Sequence, residues 1–345
     1  MMDKLKDDLS RRAFLAGMGG AGVLTGLPGV RAAALAEDKA SRHNPVCIFS
    51  KHLQFLDWEE MAKTAADLGF DGVDLTVRKG GHVQPERVKE DLPKVVEIVR
   101  KAGLEVPMIT AEIADAHSPY AEDMLRTASA LGIHHYRWGW FYWTDLPASE
   151  RTEEGRGLFL PGGKTLVDRL AELKTRVKGL EELNKKYDMC AMYHNHHGSS
   201  VGCSIWDLWL IIKDSDPKWI SSNLDIAQAA LEGGVGGWIN YVRLMGEFGY
   251  IRGTSIKDCI WAKDAKGRWE PQFCPLGQGM THFNSYFTLL KEAKFSGPIQ
   301  LQFEYPLGGA DVGRRTLTID KSQVLSAMRR DLETLRRMLK DAQLA

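Results

Sequence analysis

The chain has 345 residues, 45 Lys+Arg balanced by 45 Asp+Glu, and a hydrophobic fraction of 44%. That length holds one large domain or two medium ones, and the ordinary apolar content excludes both compositional disorder and a membrane transporter. A formal charge of zero offers no broad basic field to phosphate backbones or anionic lipid, which argues against nucleic acid as a partner.

In chain order the first element stands apart. Ser10-Arg11-Arg12-Ala13-Phe14-Leu15 is a twin-arginine pattern, followed by a weakly apolar, Gly-rich stretch to Val30 and an Ala34-Leu35-Ala36 cleavage pattern. Residues 1–36 are expected to be a Tat-type signal, 37–45 a linker and 46–345 the mature domain, periplasmic or otherwise exported and without a stable membrane anchor after processing. The alternative is an amphipathic helix or a membrane anchor, but six glycines from Gly17 to Gly29 lower both helix propensity and hydrophobicity. Removal of the signal leaves 40 basic and 42 acidic residues, so the mature protein stays near neutral. Cys47, Cys190, Cys203, Cys259 and Cys274 are widely spread with no C-x-x-C pair; buried thiols are the expectation, with one disulfide open in an oxidising compartment.

Beyond residue 43, short apolar or alternating runs take turns with longer segments of helical period. Candidate strands are Val46–Ser50, Gly72–Val77, Val106–Ala111, His135–Trp140, Met189–Asn195, Ile220–Asp225, Ile251–Asp258 and Ile299–Tyr305. Helices over Trp58–Leu68, Pro85–Ala102 and Ala121–Leu131 are each followed by a glycine, Gly69, Gly103 and Gly132, placed to end them. Leu166, Leu170, Leu173, Val177, Leu180 and Leu183 form the stripe of a helix packed on a sheet, and Val324 to Met338 repeat it. Eight β-then-α units with no Pro- or Ser-rich linker predict an α/β fold, a single (β/α)8 barrel. A doubly wound open sheet is the alternative, weakened by the lack of a G-x-G-x-x-G after the first strand. The polar, Gly/Pro-rich connection Thr144–Lys164 exceeds an ordinary barrel loop and reads as a lid, a substrate wall or a plain insertion.

Side chains two apart on a strand share a face. Gln300, Gln302 and Glu304 therefore point inward in the last strand, as do Asn223 and Asp225, Ser255 and Lys257, and His194 with His196. Barrel interiors normally hold Val, Ile and Leu, and burying an unpaired charge costs several kcal/mol. Four strands converging on ionisable residues thus point to a site. His194, Asp225 and Glu304 form a sensible donor set for a divalent cation, Mn, Mg, Zn or Co. The competing expectation is a buried ion-pair network, with Lys257 neutralising Asp225 or Glu304.

The runs Gly69-Phe70-Asp71-Gly72-Val73-Asp74-Leu75, Tyr193-His194-Asn195-His196, Asn223-Leu224-Asp225-Ile226, Ser255-Ile256-Lys257-Asp258, Pro275-Leu276-Gly277-Gln278-Gly279 and Phe303-Glu304-Tyr305 resemble the xylose-isomerase-like TIM barrels over nearly the whole mature chain. That superfamily includes sugar isomerases and epimerases, inosose dehydratases, enzymes of 3-keto-glycosides and an apurinic endonuclease branch. The resemblance implies one divalent metal held by a Glu, an Asp, a His and a Glu on strands five to eight. Asp225 and Glu304 match the second and fourth, His194 stands for the first, and Ser255 replaces the usual His. Gln228, Gln278 and His282 are further departures. The resemblance implies a metal-dependent sugar isomerase or epimerase, or a lyase on 3-keto-glycosides, working through an enediolate, and the twin-arginine pattern adds the expectation that it is exported. Glu304 would be its base, with Lys257 and His196 as proton donor or clamp. Arg78, His82, Glu112, Arg137 and Trp138, at the ends of strands two to four, are the candidate substrate contacts, together with Trp140 and Trp143, where indole faces suit a sugar ring. The partner expected is a small sugar, and similar proteins are commonly homo-oligomers. The alternative is a saccharide-binding barrel that has lost turnover, favoured by Ser255, Gln228 and Gln278.

Overall fold

The computed structural model describes residues 44–143, 163–198, 200–202 and 204–344. The proposed export signal, most of the linker, nearly all of the 144–164 connection and Cys203 lie outside the described residues. Within them, strand and helix alternate through the chain. The strands are β1 (Val46–Phe49), β2 (Gly72–Val77), β3 (Glu105–Ala111), β4 (His135–Arg137), β5 (Cys190–Tyr193), β6 (Ile220–Asp225), β7 (Ile251–Ile256), β8 (Asp258–Lys263), β9 (Trp269–Cys274) and β10 (Ile299–Leu301). The helices are α1 (Trp58–Leu68), α2 (Val88–Lys101), α3 (Ala121–Ala130), α4 (Leu166–Tyr187), α5 (Ile205–Ile212), α6 (Ile226–Glu247), α7 (Phe283–Glu292) and α8 (Lys321–Asp341).

Eight strands close a parallel barrel in the order β1, β10, β7, β6, β5, β4, β3, β2. Closure pairs Val46 with Ile299 and Ile48 with Leu301, joining the two ends of the domain. This is a (β/α)8 barrel, and the open-sheet alternative is excluded. Helix ends follow the local chemistry: Asp57 accepts the Glu60 N–H at 2.8 Å to start α1, and Gly69 ends it at φ +95°, a conformation that suits glycine. Thr165 and Asp168 close a reciprocal capping box on α4. Leu173, Val177 and Leu180 of α4 and Val324, Met328, Leu332 and Leu335 of α8 are buried in one continuous core, whereas Leu166, at the first turn of α4, is exposed.

Five barrel strands end earlier than expected, β1 by one residue at Phe49 and β7 by two at Ile256. Of the other three, β4 stops at Arg137, β5 at Tyr193 and β10 at Leu301, where the ladder pairing ends. The antiparallel hairpin β8–β9 was not anticipated; its turn, Asp264 to Arg268, holds Gly267 at φ +78°. The signal was present as two alternating runs around Asp264-Ala265-Lys266-Gly267. Cys47, Cys190 and Cys259 are buried free thiols and Cys274 is free and half-buried. No helix among the described residues is long and apolar enough to cross a membrane.

Candidate functional site

The barrel interior carries a polar layer where Val, Ile and Leu would be ordinary. Thr110 Oγ1 donates to Asp74 Oδ2 at 2.7 Å, and Gln300 Nε2 donates to the same oxygen. Ser255 Oγ donates to Gln300 Oε1 at 2.5 Å and accepts from Asn223 Nδ2 at 2.9 Å. Asp74 is fully buried, and burial, opposed by the Thr110 hydrogen bond, pushes its carboxyl up to about 6. This layer comes from β2, β3, β6, β7 and β10 and forms the floor of the carboxyl-end mouth.

Further along β6 and past the ends of β7, β10 and β1 lies a chain of charges. Lys257, just past β7, places Nζ 3.0 Å from Asp225 Oδ2 and 2.7 Å from Glu304 Oε2, and donates to Gln302 Oε1 at 3.2 Å. Its head sits 4.7 Å from the centre of the Phe273 ring, supplied by the hairpin. Lys51, two residues past β1, puts Nζ 2.7 Å from Glu304 Oε1. Asp225 ends β6 and begins α6: its Oδ1 accepts the Gln228 N–H at 3.0 Å, and no donor is aligned for a hydrogen bond to its buried Oδ2. His194 Nε2 lies 3.4 Å from that Oδ2 and its Nδ1 3.4 Å from Ser255 Oγ.

Burial sets the baseline for every charge here, and the partners then decide. Burial raises the Glu304 carboxyl, but Lys257 and Lys51 outweigh it and hold it well below the usual carboxylate range. Burial lowers Lys257, yet Asp225 and Glu304 keep it above its ordinary value. Burial drives Lys51 down against the pull of Glu304, and raises Asp225 against the pull of Lys257. His194 is held well below its ordinary value by burial and by Arg137, and His196 is pushed to about 4 by burial and Lys257; both imidazoles are neutral at pH 7.

The residues expected to touch substrate divide. Arg137 is buried at the end of β4 with its guanidinium 5.5 Å from the centres of both the Phe49 and Trp140 rings, and the Arg78 guanidinium also lies 5.5 Å from the centre of the Phe49 ring. Trp140 packs 5.4 Å from the half-buried His196, which stacks on His197 at 4.8 Å. His82 is held by Thr76, with Nδ1 3.2 Å from Thr76 Oγ1, and has no partner at its buried Nε2. Glu112 is exposed, one residue past β3. Trp138 requires a correction: it is buried against Tyr193 at 5.2 Å and Phe141 at 5.8 Å, within the hydrophobic core. The strand ends at Arg137, and it is Trp140 that joins Arg137 and His196.

Lys51 escaped the sequence reading, which took candidate residues from the ends of strands two to eight and not from the first. The same rule applied to β1 finds it. His52 escaped as well: its buried ring lies 3.0 Å from the Ala310 carbonyl and accepts the Phe303 N–H at 3.0 Å, tying the β10 end to the loop beyond it. Asp258 proves to be a loop organiser, its carboxylate accepting N–H groups of Gly277, Gly279 and Thr281. That accounts for the Gly277-Gln278-Gly279 run by backbone geometry.

The divalent cation expected at His194, Asp225 and Glu304 does not fit the residues as arranged. The oxygens that would face it face the Lys257 ammonium instead, and the second Glu304 oxygen faces Lys51. Ser255, in place of an imidazole, is committed to Asn223 and Gln300. Among the described residues no group of three or more His, Cys, Asp or Glu side chains is arranged to hold a metal ion. Lys257 pairs with Asp225 and Glu304 together, the arrangement of the ion-pair network that stood as the competing expectation.

Comparison with known proteins agrees with the architecture. The family model described as xylose isomerase-like TIM barrel matches residues 62–337. Similar solved structures include a D-tagatose 3-epimerase-like protein, 13% identical, covering 87% of this chain and 98% of its own with a TM-score of 0.59. A xylose isomerase-like TIM barrel protein from Mycobacterium smegmatis in complex with magnesium is 16% identical, with 87% and 98% covered and a TM-score of 0.59. A 3-keto-D-glucoside 4-epimerase from E. coli is 14% identical, with 81% and 94% covered and a TM-score of 0.54. At these identities the likeness concerns the fold. No curated protein matches the chain significantly. With the closed eightfold barrel and a family match over most of its length, the chain belongs to the xylose isomerase-like TIM barrels.

Proposed function

We propose that the protein is a sugar isomerase or epimerase that moves a proton on a carbon next to a carbonyl. The observation that carries this is Glu304, ionised and gripped by two ammonium groups at the carboxyl-end mouth where barrel enzymes do their chemistry. The sugar epimerases among the similar structures support the substrate class. A C–H beside a carbonyl is weakly acidic, so the developing enediolate must be met by positive charge and by hydrogen-bond donors already in place. Lys257 is placed to donate to that oxygen. Glu304 becomes a better proton acceptor as Lys257, still in place, shares its protons with the developing oxyanion, since that weakens one of the two charges that hold the carboxyl low. Trp140 and Arg137 offer an indole face and a guanidinium for the sugar ring and its hydroxyls. Reprotonation of the enediolate on either carbon or face gives isomerisation or epimerisation, and loss of a β-oxygen gives the lyase outcome on 3-keto-glycosides.

The test is C–H exchange in heavy water across ketoses and 3-keto-glycosides. Wild type should exchange one position of one class, and Glu304→Gln should lose the exchange by roughly 100-fold or more. A total lack of exchange with every sugar would sink the proposal. A second reading, a saccharide-binding barrel without turnover, is favoured by the mutual neutralisation of Asp225, Lys257, Glu304 and Lys51, and predicts binding without exchange. We also propose that residues 1–36 direct export; replacing Arg11 and Arg12 by Lys should leave the product inside the cell.

A further inference from the structure

We infer that Lys51 and Lys257 together supply the positive charge that a divalent cation would supply at the same oxygens, so that this barrel works without a resident metal. Three geometric facts carry the inference. First, the charges already close: Lys257 Nζ lies between Asp225 Oδ2 and Glu304 Oε2 at 3.0 and 2.7 Å, and Lys51 Nζ takes Glu304 Oε1 at 2.7 Å. Two carboxylates meet two ammonium groups, and Arg137 is buried nearby. A divalent ion entering this space would meet like charge before it met a free oxygen.

Second, both lysine heads are held in place. Lys257 is 3% exposed and fixed by Asp225, Glu304, Gln302 and the Phe273 ring, which leaves it little room to swing aside. The stem of Lys51 runs under Gly313, where an added Cβ would come 2.8 Å from Lys51 Cγ, and its head lies 5.5 Å from the Phe49 ring centre. Gly313 sits at φ +74°, so both its conformation and its lack of a side chain leave that lysine its path. Third, Ser255 has no donor capacity to offer a cation. Its hydroxyl donates to Gln300 and accepts from Asn223, and Gln302 Nε2 approaches it at 3.3 Å.

The chemistry asked of the pair is that of an oxyanion hole built from ammonium groups. The C–H bond breaks, its proton goes to Glu304, and the electron pair passes through the forming C=C bond to the former carbonyl oxygen, which Lys257 stabilises. Returning the proton regenerates the carboxylate, so no oxidant, reductant or water is consumed. Lys51 keeps hold of Glu304 meanwhile and sets its orientation. This role in turnover rests on the proton-transfer reading above; the exclusion of the cation does not.

The deciding experiment adds manganese(II) alone to chelator-treated, full-length protein and follows the free ion by electron paramagnetic resonance. Wild type should leave the ion free at equimolar concentration. Restoring an imidazole and removing the ammonium, Ser255→His with Lys257→Met, should tighten binding by roughly tenfold or more. One tightly held manganese per wild-type chain overturns the inference. Should the double variant fail to fold, the wild-type measurement decides alone. In parallel, any sugar exchange should survive chelator unchanged. Exchange lost to chelator and restored by manganese also overturns it. Absence of exchange with every sugar removes the proton-transfer reading, while the manganese measurement still decides the cation question.

Discussion

Asp74→Asn tests the polar floor of the site. In the folded protein the Asp74 carboxyl is raised from 3.8 to about 6, because burial outweighs the hydrogen bonds from Thr110 and Gln300 to Oδ2. Its other oxygen is buried without a partner. A carboxyl raised on folding holds its proton longer in the native state, so stability is fully present below the unfolded value near 3.8 and declines as pH rises through about 6. The full window corresponds to about 3 kcal/mol, of which roughly 1 kcal/mol falls between pH 5 and 7. Asparagine keeps an oxygen for both donors and cannot ionise, so it removes this slope and leaves a constant offset. Buried histidines such as His52 and His194 titrate in the opposite sense, their lowered values costing stability as pH falls below about 6.5. The comparison is therefore a difference between two proteins. Urea unfolding of wild type and Asp74→Asn at pH 5, 6, 7 and 8 should show the variant gaining on wild type by roughly 1 kcal/mol from pH 5 to 7. Parallel curves, or a variant that loses ground as pH rises, would refute the argument that Asp74 pays for burial as an anion.

Other expectations concern the charge chain and the rim. Lys257→Met should lower stability by about 3–5 kcal/mol in urea unfolding, since it strands buried Asp225 without its counter-charge; a loss under about 1 kcal/mol would show the pair is not closed in solution. His52→Ala should lose roughly 1–3 kcal/mol for each of the two backbone groups it orphans, at Phe303 and Ala310, read by the same unfolding experiment. Trp140→Ala should raise KM for the exchanged sugar by roughly 3- to 10-fold with kcat nearly unchanged, and a change confined to kcat would place the indole elsewhere.

The alternation of strand and helix, the glycine stops and the inward parity of Gln300, Gln302, Glu304, Asn223, Asp225, Ser255 and Lys257 were legible in the sequence. Each is a period of two or 3.6 written by near neighbours, and such patterns need no knowledge of what packs opposite. The donor types at the mouth were legible too, because ionisable residues at strand ends are costly unless they serve something.

Which partner each charged head meets was decided only by closure of the barrel. Lys51 and Glu304 are 253 positions apart, and nothing local to either anticipates a 2.7 Å contact across the β1–β10 seam. The strand lengths, and the burial of Trp138 in the core while Trp140 meets Arg137 and His196, were likewise decided only in three dimensions. A set of donors read along the chain is compatible with either a cation or an ammonium among them; the three-dimensional path of one lysine stem determines which, because two positive charges cannot share the same oxygens.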